Sequence, residues 1–498
     1  MRIDQRAAGI LLHLTSLSNP YAIGDLGPGA IAFADFLSES GQRWWQMLPI
    51  GPTGQENSPY QSMSAFGGNP LLVSPDCLVE QGLLNSSDIE FYISCNEGKV
   101  NYLAAQGFRP RLLRKAFENF EKNKNGVSQS ELDEFIHAES YWIDDFSLFL
   151  AIQEKEGTSD WTQWAQGLRT RKPEVMIRIQ RYSANEIRYH QFVQWQFSVQ
   201  FKKLKAYCAS KGIGLIGDVP HFVSHQSADV WAHPELFKLD VHGSPTVVAG
   251  VPPDYFSKTG QVWGAPVYRW EALAKQSYRW WIQRLRTAFG RFDVNRLDHF
   301  IGFVRFYEVS AQDQTAVNGS YQLGPGASFF EAVRKDLGLL PLIADDLGLR
   351  TSEEMSLMEQ FQILATHVLQ FEFGSNLETN SELPKQHPIK SMVYTGTHDN
   401  DTTKGWYQNL PSPQRNALQK KLGVNNQEIV WAMIREAFAS RADTAIILAQ
   451  DLLDLPSEAR MNFPGVAQGN WQWRLKEGSL SQQLAQKLKS ITLSSGRL

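Results

Sequence analysis

The chain has 498 residues, of which 42% are apolar and 20% charged, and its formal net charge is −4 at pH 7. This ordinary globular composition allows a large buried core, and the small net charge gives no reason to expect nucleic acid or an anionic membrane as a partner. No apolar run approaches the roughly 18 residues of a membrane span, and the N-terminal segment lacks the shape of a signal peptide. The three cysteines, Cys77, Cys95 and Cys208, form no C-x-x-C pair, which is typical of reduced thiols in a cytoplasmic protein.

Eight short apolar runs, each ending in a polar or glycine-rich loop, predict buried strands. They are AAGILLHL (7–14), RWWQMLPI (43–50), GIGLIGDVP (212–220), RFDVNRLDHF (291–300), LPLIADDLG (340–348), THVLQFEF (366–373), SMVYTGTHDN (391–400) and TAIILAQDLL (444–453). Helix-like segments such as AIAFADFLSESG lie between them, and strands that alternate with helices are typical of a parallel sheet. Eight such strands predict an α/β fold, the (β/α)8 TIM barrel, whose chemistry gathers at the C-terminal ends of the strands.

The gap between the second and third runs is too long for one crossover helix, so we expect residues 75–205 to form an inserted, largely helical subdomain. Its segment DEFIHAESYWIDDFSLFLAIQEK has apolar residues at helical spacing. The segment EKNKNGVSQSEL (121–132) is only faintly similar to a calcium loop, because Leu132 stands where the bidentate Glu is required. We expect residues 1–488 to form a single catalytic barrel and residues 489–498 to be a frayed tail.

Carboxylates and histidines stand at the ends of several predicted strands. In NRLDHF, alternation places Arg296 and Asp298 on one strand face, pointing into the barrel mouth. The arginine is expected to lower the pKa of the aspartate and keep it ionised, as a nucleophile requires, although a structural Arg–Asp pair explains this motif equally well. THDN brings His398 and Asp399 to another strand end, where an Asx-rich turn is the alternative, and GDVP brings Asp218 to a third.

Two adjacent acids, Asp345 and Asp346, follow the strand LPLIA. Because neighbouring residues of a strand face opposite sides, only one of them can face the mouth, and the residues alone do not say which. A mouth with several carboxylates, an arginine, a histidine and nearby tryptophans favours glycosidic bond chemistry, in which retaining enzymes use one carboxylate as nucleophile and another as acid and base. Metal-dependent hydrolysis is the competing interpretation, but the histidines are dispersed over the runs and none form a pair at helical ligand spacing.

Long motifs along nearly the whole chain, from about Gly9 to Leu475, resemble those of the 4-α-glucanotransferases called amylomaltases or disproportionating enzymes. These motifs are SPYQSMSAFGGNPLL, SADVWAHPELF, GVPPDYFSKTGQVWG, YTGTHDNDTTKGW, ARMNFPG and GNWQWRL. The resemblance implies a (β/α)8 barrel with inserted subdomains that transfers α-1,4-glucan segments between maltooligosaccharides in starch or glycogen metabolism. It also implies that the protein uses no organic cofactor and no metal. We expect a monomer or weak homodimer.

Matched motif by motif, the resemblance implies three catalytic carboxylates: Asp298 as nucleophile, Asp345 as general acid and base, and Asp399 as stabiliser of the transition state. Asp346 matches a structural acid of the family. The implied substrate-binding residues are Ser58, Tyr60, Asp218, Asp254, Gln261, Trp263, Arg296, His299, His398 and Asn462. Among these, Tyr60 and Trp263 match aromatic platforms for glucose rings. The loop around Asp254 matches a lid that favours an incoming sugar over water.

Several positions depart from the family pattern. The family has A-E-D-L-G at the fifth run, so Asp345 stands where the acid/base Glu is usual; it is one methylene shorter, and a misplacement of about 1 Å can cost on the order of 10²-fold in rate. The other departures are WGAP for WGNP, QILATHVLQF for a GFPG turn before VLQF, QFEF with Gly374 for QFAF and Asp, and LPKQH (383–387) for LPHNY. We interpret them as altered subsites around the substrate cleft. The alternatives to glucan transfer are an α-1,4-glucan hydrolase and a glucan-binding protein with weakened catalysis.

Overall fold

The structure is a computed structural model that describes residues 3, 5–54, 56–90, 98–122, 129–253, 257–347, 350–374 and 384–498. Its strands, in chain order, are β1 (Ala7–Leu11), β2 (Trp44–Gln46), β3 (Gly214–Val219), β4 (Val247–Val251), β5 (Gln261–Pro266), β6 (Val294–Leu297), β7 (Arg305–Ser310), β8 (Ser320–Leu323), β9 (Leu342–Ala344), β10 (Ala365–Val368), β11 (Ser391–Tyr394) and β12 (Thr444–Leu448). Cys77 and Cys208 are buried free thiols. Cys95 and residues 123–128 of the calcium-loop-like segment lie outside the described residues.

Helices surround the strands. They are α1 (Pro28–Glu39), α2 (Pro75–Glu80), α3 (Ser86–Ile89), α4 (Tyr102–Lys122), α5 (Gln129–Ala138), α6 (Ser140–Glu156), α7 (Gln166–Arg169), α8 (Pro173–Tyr182), α9 (Ala184–Ser210), α10 (Ala228–Ala232), α11 (Trp270–Lys275), α12 (Arg279–Arg291), α13 (Ala327–Leu337), α14 (Ser352–Phe361), α15 (Leu369–Gly374), α16 (Thr403–Asn409), α17 (Ser412–Leu422), α18 (Ile429–Ala439), α19 (Ala449–Leu452) and α20 (Gln482–Ser494). Short 3₁₀ turns cover Leu14–Ser16, Pro70–Leu72, Trp161–Gln163, Pro234–Leu236, Phe300–Phe303, Pro384–Gln386 and Ser457–Ala459. Among the described residues, no helix combines the length and the apolar character needed to cross a membrane.

All eight predicted strands are present and form one parallel sheet in the order β10-β11-β12-β1-β2-β3-β6-β9. The two edge strands meet, because the N–H of Ala344 donates to the carbonyl of Leu364 at 2.9 Å and the N–H of Leu364 donates to the carbonyl of Leu342 at 3.1 Å. The strands β1 and β3 are buried along their whole length, as expected of parallel strands covered on both sides. The predicted (β/α)8 barrel is therefore confirmed.

Residues 75–205, between β2 and β3, contain the helices α2 to α8 and most of α9. The 27-residue helix α9 contacts α6 within this region and also β3 of the barrel, so one helix joins the insertion to the barrel. Trp142, Phe146 and Phe149 of α6 are buried in a cluster that also contains Trp231, which follows β3 in the chain. The insertion is thus packed against the barrel through apolar contacts.

A second sheet, which the sequence analysis does not predict, lies outside the barrel. It has four antiparallel strands in the order β5-β4-β7-β8, drawn from the segments that follow β3 and β6. Its strands contain Gly250, Gly264 and Pro266, residue types that weaken a strand pattern in the sequence. The sheet matters for the site because β5 carries Gln261 and Trp263.

The C-terminal residues 489–498, expected to be frayed, are ordered, which corrects that expectation. Helix α20 continues to Ser494, and the side chain of Arg497 is fully buried. Its guanidinium donates to five backbone carbonyl oxygens, those of Ala7, Phe438, Ser440, Ala442 and Asp443, at 2.7–2.9 Å. Because α18 ends at Ala439, the carbonyls of its last turn and of the following turn have no partner within the helix, and Arg497 binds them together with Arg6.

We expect Arg497→Ala to lower the free energy of unfolding by about 3 kcal/mol or more, because it removes five charged hydrogen bonds and each is worth about 1.5–3 kcal/mol. Chemical denaturation followed by tryptophan fluorescence measures this change. The control is Lys489→Ala on the exposed side of the same helix, which should change stability by less than about 0.5 kcal/mol. Equal stability of both variants would show that the tail does not hold the barrel.

Candidate active site

The buried side chain of Arg296, on β6, binds three carboxylates in the mouth of the barrel. Its Nη1 donates to both carboxylate oxygens of Asp218, at 2.8 and 3.0 Å, and to Oδ1 of Asp298 at 3.0 Å. Its Nη2 lies 2.9 Å from Oδ2 of Asp345. Asp218 is on β3, Asp298 follows β6 and Asp345 follows β9, which are neighbouring strands of the barrel. All four side chains therefore converge at the C-terminal ends of the strands.

Strand register explains this convergence. Asp218 is the register partner of Arg296 in the parallel β3–β6 pair, so the two side chains lie side by side. Asp298, two residues after Arg296, shares its face, as alternation predicts. Asp345 faces the mouth, whereas Asp346 turns away, where its Oδ1 accepts the N–H of Thr366 at 2.8 Å and its Oδ2 lies 2.8 Å from Arg350.

The electrostatics of the cluster differ from the expectation. Burial raises the pKa of Asp298 well above its usual range; Arg296 opposes this rise, while Asp218, Asp345 and Asp399 add to it. Arg296 lowers the pKa of Asp298, as predicted, but burial outweighs it, so the expectation that the arginine alone keeps this carboxyl group ionised is wrong. Burial likewise raises the pKa of Asp218. Such a cluster favours a proton shared among its acids, which retaining glycoside chemistry requires because one acid must donate a proton and the other must attack.

A cluster of aromatic rings, formed by Tyr60, His398 and Trp471, lies beside Asp218. The hydroxyl of Tyr60 donates to Oδ2 of Asp218 at 2.9 Å, and the ring of Tyr60 stacks on His398 with centroids 5.0 Å apart and planes 17° apart. Trp471 lies 5.9 Å from Tyr60 and 6.0 Å from His398, between ring centroids. Trp471 belongs to the motif GNWQWRL and was not among the predicted site residues. Ser58 shapes the preceding turn, since its hydroxyl accepts the N–H of Tyr60 at 3.3 Å.

Asp399 projects from the loop after β11, and its side chain is 45% exposed. Asn462 donates from Nδ2 to Oδ1 of Asp399 at 2.6 Å, and Nε2 of His398 lies 3.4 Å from the same oxygen. The backbone N–H of Asn462 donates to the carbonyl of His398 at 3.1 Å, and Arg460 donates to the carbonyl of Asp399. The motif ARMNFPG therefore fixes this loop, and Arg460 is a positioning residue that the sequence analysis missed.

His299 and Trp263 form the opposite side of the mouth. His299 adopts a left-handed backbone conformation with φ of 49°, which turns its N–H toward Oδ2 of Asp345 at 3.1 Å. Burial lowers the pKa of His299 to about 4, so its imidazole is neutral at pH 7. Trp263 approaches the imidazole edge-on at 4.9 Å, and its indole N–H donates to Oε1 of Gln261 at 3.3 Å. Asp254, the predicted lid residue, lies outside the described residues.

The fold and the site together define a barrel enzyme that acts on glycosidic bonds. A family model described as 4-alpha-glucanotransferase matches residues 12–481. The chain is 41% identical to a 4-alpha-glucanotransferase of Thermus thermophilus and 42% identical to one of Synechocystis sp., with 99% of each chain covered in both comparisons. A solved amylomaltase from Streptococcus agalactiae, in complex with acarbose, matches with a TM-score of 0.95 at 36% identity, over 99% of this chain and 100% of that one. The chain therefore belongs to the 4-alpha-glucanotransferase family, and the resemblance found in the sequence is confirmed.

Two buried acids behind the mouth resist ionisation. Burial raises the pKa of Glu354 to about 7 and that of Asp346 to about 6. A raised folded-state pKa favours the protonated form, so the stability that it contributes is complete below the unfolded pKa of about 4.3 and is lost as the pH rises through 7.

We expect Glu354→Gln, which stays neutral, to reduce the loss of unfolding free energy between pH 5 and 8 by about 1–3 kcal/mol relative to the native chain. Urea unfolding at both pH values measures this difference. Glu353→Gln is the matched control, because Glu353 is the exposed neighbour on the same helix. The same pH dependence in both variants would show that Glu354 ionises freely in the folded state.

Proposed function

We propose that this protein transfers α-1,4-glucan segments between maltooligosaccharides by retaining double displacement. The observation that carries the proposal is the guanidinium of Arg296, which bridges Asp298 and Asp345 within the mouth of a 4-alpha-glucanotransferase barrel. Asp298 contacts Nη1 and Asp345 contacts Nη2 of the same guanidinium, so the two carboxylates are close enough to act on one glycosidic bond.

In the first step, Asp298 attacks the anomeric carbon of the donor sugar and the bond from that carbon to the glycosidic oxygen breaks. Protonated Asp345 gives its proton to that oxygen, and the shortened glucan leaves with a 4-hydroxyl group. In the second step, the 4-hydroxyl of an acceptor glucan gives its proton to Asp345 and attacks the same carbon, which releases Asp298. The anomeric configuration is retained, and Asp345 ends protonated, as it began.

Arg296 balances charge throughout this cycle. The proposed cycle requires that the proton of the cluster lie on Asp345 and that Asp298 be ionised when substrate reacts; in the covalent intermediate Asp298 is an ester and Asp345 carries the negative charge. One negative charge is therefore always paired with the guanidinium, which contacts both groups. Asp218 holds the guanidinium from the other side with two hydrogen bonds and is itself held by Tyr60, so Arg296 keeps its place while the charge moves.

The remaining groups suit sugar binding. We assign Asp399 to the sugar hydroxyls and to stabilisation of the oxocarbenium-like transition state, because Asn462 orients its exposed carboxylate. His398 would bind a neighbouring hydroxyl, and Tyr60 and Trp263 would offer ring surface to glucose. We further propose that the loop around Asp254 acts as a lid over the acceptor side. We also propose that the substrates are starch or glycogen chains and that the protein is cytoplasmic. The relatives are named as transferases, which favours transfer over hydrolysis or binding alone.

We expect the native chain to convert maltotriose into glucose and a ladder of longer sugars at a constant number of reducing ends. Asp345→Asn should lower the rate by about 10²–10⁴-fold, because it removes the general acid and base. Chromatography of the products, with a reducing-end assay, measures both. Asp133→Asn on the exposed surface of α5 is the control and should leave the ladder unchanged.

The same assay separates the alternatives. A rising number of reducing ends without longer sugars would make the protein a hydrolase. The native chain could instead bind maltotriose without changing it, while Asp345→Glu forms the ladder. That result would show that the missing methylene of Asp345 has cost the natural chain its catalytic activity.

The solved Streptococcus agalactiae relative is a complex with acarbose, and we propose that this chain binds acarbose in the same mouth. We expect Asp399→Ala to weaken that binding by about tenfold or more, because hydrogen bonds to a charged group are worth about 1.5–3 kcal/mol. Isothermal titration calorimetry measures the affinity, with Asp133→Asn as control. An unchanged affinity for Asp399→Ala would place the inhibitor away from this loop.

A further inference from the structure

A buried cluster of three potential metal ligands lies outside the barrel mouth. It consists of His367 on β10, Glu372 on α15, and His387, which follows the 3₁₀ turn before β11. Nε2 of His387 lies 2.9 Å from Oε1 of Glu372, and Nδ1 of His367 lies 3.5 Å from the same oxygen. The ligand atoms of the three residues all lie within 4.8 Å of one another. None of the three side chains is more than 6% exposed, so their polar atoms lie away from bulk solvent.

The histidine His387 is held in an orientation that suits coordination. Its Nδ1 lies 2.8 Å from Oγ of Ser440, which also accepts the N–H of Ala442 at 3.0 Å. This contact leaves Nε2 of His387 directed at Glu372. Histidines that bind metals are usually fixed in this way, with the second ring nitrogen hydrogen-bonded to a protein group.

His367 is the least satisfied member of the cluster. Its side chain is 3% exposed, yet within the described part of the chain neither ring nitrogen makes a hydrogen bond. The ring of His367 stacks on His387 with centroids 4.2 Å apart. A buried imidazole without a hydrogen bond costs free energy, and a cation bound between the imidazoles and the carboxylate would remove that cost.

By the resemblance noted in the sequence, the three residues also stand at positions where the chain departs from the family pattern. They lie in the segments QILATHVLQF, QFEF and LPKQH, where the chain departs from its family's pattern. Glu372 stands in place of the Ala of QFAF, and His387 in place of the Tyr of LPHNY. These departures were expected to line the substrate cleft, but the structure brings these residues together in a buried cluster of their own.

We propose that His367, Glu372 and His387 bind one divalent transition-metal ion of the Zn²⁺ class, with a fourth position left to water. Two imidazoles and one carboxylate are a donor set that Zn²⁺ prefers, at about 2.0–2.2 Å from the metal. A tetrahedral ion with such bonds holds its ligand atoms roughly 3.4 Å apart. That separation falls within the 4.8 Å that bounds the ligand atoms. Because the two imidazole planes are stacked 18° apart, binding requires at least one ring to rotate until both nitrogens point at the ion. This inference departs from the family expectation of no metal.

The first test uses the full-length native chain after treatment with EDTA and desalting. We expect it to take up one Zn²⁺ per chain, measured by elemental analysis after a second desalting step, and its Tm to rise by about 2–5 °C in excess Zn²⁺. Co²⁺ in place of Zn²⁺ should give the visible absorption of a four-coordinate nitrogen and oxygen site. Failure of the native chain to retain either ion would overturn the proposal. Glucan transfer does not enter these readouts, so they are independent of the proposed function.

Variants locate the ion. Glu372→Gln and His387→Gln should each weaken Zn²⁺ binding by about 100-fold or more, and Ser440→Ala, which removes the partner of a ligand, by about tenfold. His137→Gln, an exposed histidine on α5, is the control and should bind as the native chain does. Native affinity in Glu372→Gln and His387→Gln would place the ion elsewhere and overturn the assignment. Should either variant fail to fold, Ser440→Ala and the Co²⁺ spectrum of the native chain decide the question.

Discussion

The active site depends on one buried guanidinium. Arg296 is 5% exposed and contacts carboxylates that come from β3, from the end of β6 and from the end of β9. A buried charge is tolerated only where its partners are present and well placed, so the ion cluster demands the register that brings these three strands together. The same cluster continues through Asp218 to Tyr60 and His398 on the far side of the mouth. The strand register that closes the barrel therefore also sets the positions of the catalytic carboxylates.

This constraint bears on the short acid at position 345. Oδ2 of Asp345 is held by Nη2 of Arg296 and by the backbone N–H of His299, whose left-handed conformation points it there. These two contacts to one oxygen restrict the position of the carboxylate. A glutamate at this position would carry one more rotatable bond and more freedom to lose on ordering. The shorter side chain extends less far than glutamate but samples fewer conformations. Restricted conformational freedom is what precise positioning of a catalytic group requires.

The sequence was sufficient for the barrel because parallel strands buried on both faces form continuous apolar runs, and all eight runs became strands. Alternation also required that only one of Asp345 and Asp346 face the mouth, but the resemblance to the family, not the pattern, assigned Asp345 to it. The sequence failed for β4 and β5, whose glycines and prolines are typical of loops, and for the tail, whose order depends on Arg497 reaching carbonyls far away in the chain. The sequence predicted the lowering effect of Arg296 on the pKa of Asp298 but not the larger opposite effect of burial, because the depth of a side chain is a property of the folded chain.

The metal-ligand cluster was beyond the sequence for the same reason. His367, Glu372 and His387 match no metal-binding spacing, and only the fold brings them together. Their position matters because the barrel closes between β9 and β10, where Leu364 bonds with Leu342 and Ala344, and Thr366 bonds with Ala344 and Asp346. An ion that joins β10 to α15 and to the segment before β11 would stiffen the β10 side of this seam. Since β9 leads directly into Asp345, a firmer seam would help to hold the general acid in place against Arg296.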